Sequence, residues 1–91
     1  MFVVVSYDIV DDARRLRVAK VLEDHGVRVQ KSVFECDLRP GEMEVLRSRL
    51  QAQIDESEDS VRYYFLCESC LKKVACDGGP GPALDEEIMV I

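Results

Sequence analysis

The sequence lacks the features that identify membrane proteins, secreted proteins and several common enzyme classes. Its unbroken apolar runs, such as Phe2–Val5, are far shorter than the about 20 residues that a transmembrane helix needs. No basic segment precedes a long apolar stretch at the start, so a secretory signal is not expected and the predicted location is the cytoplasm. Its four cysteines are then expected to be reduced thiols. The sequence contains no phosphate-binding glycine motif, and the single histidine, His25, forms no recognisable catalytic pair with serine or cysteine.

Length and composition predict one small globular domain. The chain has 91 residues, of which 47% are hydrophobic and 33% are charged, and this balance excludes a disordered chain. A chain of this length buries only about 60–65% of its unfolded surface, so its core is thin. A thin core favours a partner subunit, and the twofold homodimer is the commonest arrangement.

Charge is distributed unevenly along the chain. Arginine and lysine total 12 and the acidic residues total 18, which gives a net charge of −6. An acidic protein is not expected to bind polyanions with its whole surface, because phosphate contacts require basic side chains. Any nucleic-acid surface must therefore be local and come from the first half of the chain, where basic residues are crowded. These are Arg14, Arg15, Arg17, Lys20, Arg28 and Lys31.

The first half of the chain predicts a strand, a helix and a further strand region. Residues 1–9 contain an apolar run rich in valine, typical of a buried central strand. A first helix is expected at Asp12–His25, with Gly26 as its C′ residue. The alternating segment Val27–Asp37 predicts either one long strand or two short strands joined at its polar centre. The apolar positions of the first helix are Ala13, Leu16, Ala19 and Leu22.

The second half predicts a helix and two more strands. Pro40 and Gly41 are expected to open the second helix, and Val61–Leu66 has the composition of a strand. A short helix is expected within residues 67–76, and Glu87–Ile91 is predicted to be a final apolar strand. The apolar stripe of the second helix is Met43, Leu46, Leu50 and Ile54.

This order, β-α-β-β-α-β, predicts a ferredoxin-like α+β sandwich with two helices on one face of an antiparallel sheet. Residues 1–76 are expected to form this domain, followed by a C-terminal loop and strand at 77–91. The other face of the sheet must be covered, and a second subunit would cover it. The final strand could then pair with the sheet edge of that subunit.

Asp8 is the sharpest single candidate for chemistry. A carboxylate at the end of a buried strand is held rigidly at the rim of the sheet and still meets solvent. Such a group can ligate Mg²⁺, which prefers hard oxygen donors, and two copies of Asp8 could share one ion in a twofold dimer. The competing interpretation is an aspartate that only caps the following turn.

Cysteine and arginine patterns leave further alternatives open. Arg14, Arg15 and Arg17 are either a solvated helix face or a phosphate-binding surface, for which arginine is well suited. Cys67 and Cys70 form a Cys-x-x-Cys pair, which is compatible with unreactive thiols, with a redox pair or with a zinc site shared across a dimer.

Four segments together resemble the CRISPR-associated endoribonuclease family Cas2, over roughly residues 1–74. The segments are Tyr7-Asp8-Ile9, then Asp11, Asp12, Arg14 and Arg15, then Arg28-Val29-Gln30-Lys31-Ser32-Val33-Phe34-Glu35, and finally Asp59-Ser60-Val61-Arg62-Tyr63-Tyr64. The first and third segments occurring together, at this spacing and in so short a chain, are a specific signal of the family.

This resemblance implies a ferredoxin-like homodimer whose metal-binding catalytic aspartate is Asp8. It implies either Mg²⁺-dependent cleavage of phosphodiester bonds in RNA or DNA, or a non-catalytic bridge between Cas1 integrase units and a short DNA duplex during spacer acquisition. The basic residues expected to contact nucleic acid are Arg14, Arg15, Arg17, Arg28 and Lys31. The residues expected in the cleft or at the dimer interface are Tyr7, Gln30, Ser32 and Phe34.

Overall fold

The computed structural model describes residues 1–78 of the chain. The predicted final strand, and with it the question of pairing with a partner subunit, lies outside these residues. In chain order, the elements are β1 (Phe2–Asp8), α1 (Asp12–Glu23), β2 (Val27–Gln30), β3 (Val33–Asp37), α2 (Glu42–Gln51), β4 (Ser60–Leu66) and α3 (Glu68–Leu71).

The four strands form one sheet in the order β2-β3-β1-β4, and each neighbouring pair is antiparallel. The most apolar strand, β1, takes a central position, as its valine run predicts. The predicted ferredoxin-like α+β architecture is confirmed. None of the helices within residues 1–78 is long and apolar enough to cross a membrane.

The core lies between one face of the sheet and helices α1 and α2. Alternate residues of β1 point into it, and Val3 and Val5 are fully buried, as are Phe34 and Cys36 of β3. The predicted stripe of α2 is confirmed, because Leu46 and Leu50 are fully buried and Met43 and Ile54 pack against the core.

The apolar face of α1 differs from the prediction. Leu16 is 65% exposed, and Ala13 is also exposed. The buried positions lie in the C-terminal half of the helix, at Val18, Ala19, Val21 and Leu22. At 3.6 residues per turn, Leu16 lies on the opposite side of the helix from Val18 and Val21, so the buried face differs from the predicted stripe.

Gly26 has a different role from the predicted helix cap. The helix ends at Glu23 with Asp24 as its C-cap, and the described glycines with positive φ are Gly41 and Gly78. A Cβ atom at Gly26 would lie 2.4 Å from the carbonyl oxygen of Glu35 and 2.5 Å from Sγ of Cys36. Position 26 therefore requires a residue without a side chain, because the backbone there packs closely against β3.

The segment left open in the sequence forms two short strands. β2 and β3 pair with a register shift between Arg28 and Gln30, which is typical of a β-bulge. The turn between them is attached to β1, because the backbone N–H of Tyr7 donates to the carbonyl of Ser32 (3.1 Å) and the hydroxyl of Tyr7 donates to that of Lys31 (3.2 Å). The hairpin turn is thereby held beside the C-terminal end of β1.

Candidate metal and nucleic-acid site

Asp8 lies at the C-terminal end of β1, where it is exposed to solvent and paired in register with Ser60 of β4. Its carboxylate makes no hydrogen bond or ion pair with any other residue in the described part of the chain. An exposed carboxylate on a rigid strand end, with both oxygens available, has the chemistry that a hard cation requires.

An open groove of about 490 Å³ runs beside Asp8, between α1 and the turn that joins β2 to β3. Three of the predicted nucleic-acid-binding residues, Arg15, Arg28 and Lys31, line this groove together with Asp8. The sequence separates these cations by up to 16 positions, and the sheet brings them to one place. The other lining residues are Tyr7, Ile9, Leu16, Ala19 and Ser32.

Arg15 is fixed across the turn that follows β1. Its Nη1 donates to the carbonyl oxygen of Ile9 (2.8 Å), and its Nη2 donates to the carboxylate of Asp12. These bonds hold the guanidinium at the mouth of the groove while the side chain stays 43% exposed. Asp12 therefore orients the guanidinium of Arg15.

Aromatic side chains lie beneath the groove. The guanidinium carbon of Arg28 lies 5.2 Å from the centre of the Phe34 ring, and that ring lies 6.3 Å from the ring of Tyr7. Phe34 is fully buried and Tyr7 is 4% exposed. Both rings belong to the core, the Phe34 ring supports Arg28 from below, and Tyr7 also lines the groove. Their place in a cleft or dimer interface stays a prediction. Gln30 is exposed and Ser32 is half-buried at the hairpin turn.

Arg14 is not among the residues that line the groove, and its predicted role in nucleic-acid binding stays a prediction. Its Nε donates to Oδ2 of Asp59 (2.8 Å), and its Nη2 donates to Oδ1 of Asp59 (3.2 Å) and to Glu58 (2.9 Å). The guanidinium is thus committed to two carboxylates of its own chain. Arg17 also lies outside the groove lining, where its Nε donates to the side-chain oxygen of Gln53 (3.1 Å).

Asp59 has a structural role that the sequence analysis did not predict. Its side chain is fully buried and also accepts the backbone N–H of Asp55 (2.9 Å). The hydrogen bond from Arg14, followed by that backbone bond, holds the pKa of Asp59 below its usual range, and the pKa of Arg14 is raised in turn. Because Asp59 directly precedes Ser60, the partner of Asp8, this ion pair attaches α1 to the strand end that carries the site.

His25 is largely buried and lies between two charged side chains of α2. Its side chain is 8% exposed, its Nδ1 lies 2.8 Å from a carboxylate oxygen of Glu42, and its Nε2 lies 2.8 Å from Nη1 of Arg49. Since arginine can only donate, Nε2 accepts and Nδ1 donates to Glu42. This arrangement joins the ends of α1 and α2, and it does not line the groove beside Asp8.

Residues 1–78 of one chain do not supply a complete metal site. Within residues 1–78, no three histidine, cysteine, aspartate or glutamate side chains converge on a point that could hold an ion. Among residues 1–78, Asp8 offers one carboxylate of the type that Mg²⁺ prefers, and these residues would fit this ion if a second chain contributed its own Asp8.

Comparison with known proteins identifies the family of this chain. A family model described as CRISPR associated protein Cas2 matches residues 1–74. The chain is 46% identical over 93 residues to CRISPR-associated endoribonuclease Cas2 1 of Chloroflexus aurantiacus, with all of both chains covered.

Two solved structures show the same fold. The crystal structure of Streptococcus pyogenes Cas2 at pH 6.5 is 40% identical, with a TM-score of 0.74 over 86% of this chain and 100% of that chain. A chain of a partial Cas6-RT-Cas1–Cas2 complex is 28% identical, with a TM-score of 0.72 over 82% of each chain. Sequence, fold and strand-end geometry lead to one conclusion: the chain belongs to the CRISPR-associated Cas2 family.

Proposed function

We propose that this protein works in CRISPR spacer acquisition as a homodimer that cleaves phosphodiester bonds of RNA or DNA with the help of Mg²⁺. The observation that carries the proposal is the exposed, unpartnered carboxylate of Asp8 at the rim of a groove lined by three cations. Relatives named as endoribonucleases support the same activity.

The open face of the sheet supports the dimer. Register places Val4, Glu35 and Tyr64 on one face with Val27, opposite the face that packs against the helices. Val27 is 55% exposed and Tyr64 is 50% exposed, so apolar surface remains uncovered in the single chain. Asp8 shares this face by strand alternation, and a second copy packed there would bring its own Asp8 to the same rim.

In this dimer, different residues of the chain would bind the metal ion and the nucleic acid. The two Asp8 carboxylates would hold the ion, and Arg15, Arg28 and Lys31 would bind phosphates that flank the scissile bond. The chemistry that a bound Mg²⁺ supplies is a lowered pKa of a coordinated water and charge neutralisation on the phosphoryl group. A protein base is not required for this chemistry, which agrees with the placement of His25 away from the groove.

Removal of Mg²⁺ is the direct test of this proposal. The purified protein, incubated with labelled RNA and DNA strands, should cleave at least one of them in millimolar Mg²⁺. An excess of chelator should stop cleavage, and added Mg²⁺ should restore it, because the carboxylates alone cannot activate water. Cleavage that continues in chelator would contradict the proposed chemistry and would indicate a contaminating nuclease or a metal-independent site.

The cations of the groove provide a test of nucleic-acid binding. The double variant Arg28→Gln and Lys31→Gln is expected to bind duplex DNA at least about tenfold more weakly at 0.1 M salt. The slope of log affinity against log salt should fall by about 1.8 through loss of two phosphate contacts. Fluorescence anisotropy across a salt series measures both quantities.

The double variant Lys72→Gln and Lys73→Gln is the matched control for this measurement, because it also removes two positive charges from exposed positions. Both lysines follow α3, which continues from Leu66 at the opposite end of the sheet from Asp8. The control should bind as the unaltered protein does. Equal losses in the control and the groove variant would show that net charge, and not the groove, governs binding.

A second candidate function rests on the structural neighbour from the Cas6-RT-Cas1–Cas2 complex. In this alternative, the dimer is a non-catalytic bridge that holds Cas1 integrase units and a short DNA duplex. The bridge requires the dimer and the cations of the groove, and it does not require the carboxylate of Asp8. The two functions are therefore separable by changing Asp8 alone.

A further inference from the structure

Cys67 and Cys70 lie together where β4 passes into α3. Cys67 is the N-cap of α3, and its carbonyl accepts the backbone N–H of Leu71 (2.9 Å), so one closed turn includes both cysteines. Cys70 stands three residues after Cys67, a spacing that places the two Cβ atoms about 5–6 Å apart on one side of the turn. Both side chains are exposed and both thiols are free.

The surroundings of the pair make one thiol the nucleophile. The hydroxyl of Ser69 lies 3.2 Å from Sγ of Cys67, and this contact, with further help from Cys70, lowers the pKa of Cys67 to about 7. The pKa of Cys70 is raised by the neighbouring Cys67. Such a division, with one thiolate and one protonated partner, is what thiol–disulfide exchange requires.

The other described cysteines behave differently. Cys36 is fully buried in the core, and burial raises its pKa to about 11. Cys76 is exposed, but no third ligand joins Cys67 and Cys70 within residues 1–78, so the structure does not assemble a zinc site there.

We propose that Cys67 and Cys70 form a reversible redox site that reacts with a low-molecular-weight disulfide. The Cys67 thiolate attacks one sulfur of that disulfide, forms a mixed disulfide and releases one thiol. Cys70 then loses its proton and attacks Sγ of Cys67, and the second thiol leaves. Overall, the two protein thiols are oxidised to one disulfide, and the small disulfide is reduced by two electrons to two thiols.

The consequence of oxidation is local. The new bond would fix the first turn of α3, where Leu71 is buried and anchors the turn to the rest of the domain. Asp8 lies at the other end of β1, about 20 Å away for a seven-residue strand. Oxidation is therefore expected to leave cleavage unchanged, so the proposal does not depend on the proposed function.

The test follows the thiols by mass spectrometry. The fully reduced protein is incubated with glutathione disulfide at pH 7, quenched by alkylation and digested. The expected product is a peptide with a Cys67–Cys70 bond, 2 Da lighter than the reduced peptide, while Cys36 remains alkylatable only after unfolding. Cys67 should react about fivefold faster than a cysteine in a model peptide, because its larger thiolate fraction outweighs its lower nucleophilicity.

Two variants assign the roles. Cys70→Ser should trap the mixed disulfide on Cys67, and Cys67→Ser should slow the reaction at Cys70 to the rate of the model peptide or below. Cys76→Ser is the matched control and should form the bond as the unaltered protein does. The proposal is overturned if no bond between Cys67 and Cys70 forms, if Cys67 reacts no faster than the model peptide, or if the purified protein carries zinc that blocks both thiols until a chelator is added.

Discussion

Asp8→Asn is expected to reduce Mg²⁺-dependent cleavage by at least about 100-fold while leaving the fold intact. A metal ion in a phosphoryl-transfer site contributes several kcal/mol of transition-state stabilisation, and each 1.36 kcal/mol corresponds to a factor of ten in rate. An amide keeps the size of the carboxylate but removes its charge, so two altered chains would hold the ion far more weakly. The exposed side chain makes no hydrogen bond or ion pair within the described residues, so the thermal midpoint should change little.

Glu44→Gln is the matched control for this variant. It removes one negative charge from an exposed position on α2 and lies outside the groove beside Asp8. Cleavage by the control should equal that of the unaltered protein. Initial rates across a Mg²⁺ series, with size-exclusion chromatography to verify the dimer, provide the comparison.

The outcome also separates the two candidate functions. If Asp8→Asn loses cleavage but still assembles with Cas1 and supports spacer acquisition, both roles exist on different surfaces. If the unaltered protein and the variant show the same residual cleavage, Asp8 is not catalytic, and the bridging role alone remains. A variant that no longer forms dimers would instead assign Asp8 to the interface.

Gly26→Ala is expected to destabilise the folded protein by about 3 kcal/mol, near the upper end of the usual cost of overpacking. The added Cβ atom would lie 2.4 Å from a backbone oxygen and 2.5 Å from the buried Sγ of Cys36. The backbone oxygen cannot move without shifting β3, which carries Phe34 beneath the groove, and Sγ of Cys36 is confined by the core around it. Equilibrium denaturation in urea, followed by circular dichroism, measures the change.

Gly41→Ala is the control that distinguishes lack of space from backbone conformation. Gly41 has a φ of +85°, and a Cβ atom there would meet nothing within 4 Å. Its substitution should cost only about 1 kcal/mol, from the left-handed conformation. Asparagine tolerates this conformation, so Gly41→Asn should be milder still, whereas Gly26→Asn should be at least as harmful as Gly26→Ala. Equal costs at the two glycines would contradict the packing explanation.

The differences between expectation and structure have one physical origin. Leu16 fits a three-residue apolar spacing, yet it is exposed. At 3.6 residues per turn, Leu16 lies on the opposite side of α1 from Val18 and Val21, which are buried. Arg14 and Arg15 are adjacent and chemically identical, yet one is paired with buried Asp59 and the other lines the groove. The periodicity of a sequence shows which residues share a helix face. It does not show which face will pack against the sheet or which side chains from other segments will lie beside it.

The sequence by itself determined the order of the elements, the central position of β1 and the identity of Asp8 as a strand-end carboxylate, since these depend on local patterns of apolar and charged residues. Only the tertiary structure decided which cations stand beside Asp8, why Gly26 must lack a side chain and what Asp59 does. Each of these depends on contacts between segments far apart along the chain, for instance the 45 positions that separate Arg14 from Asp59. The local spacing of residues does not predict these contacts, because they form only when the sheet and the helices pack together.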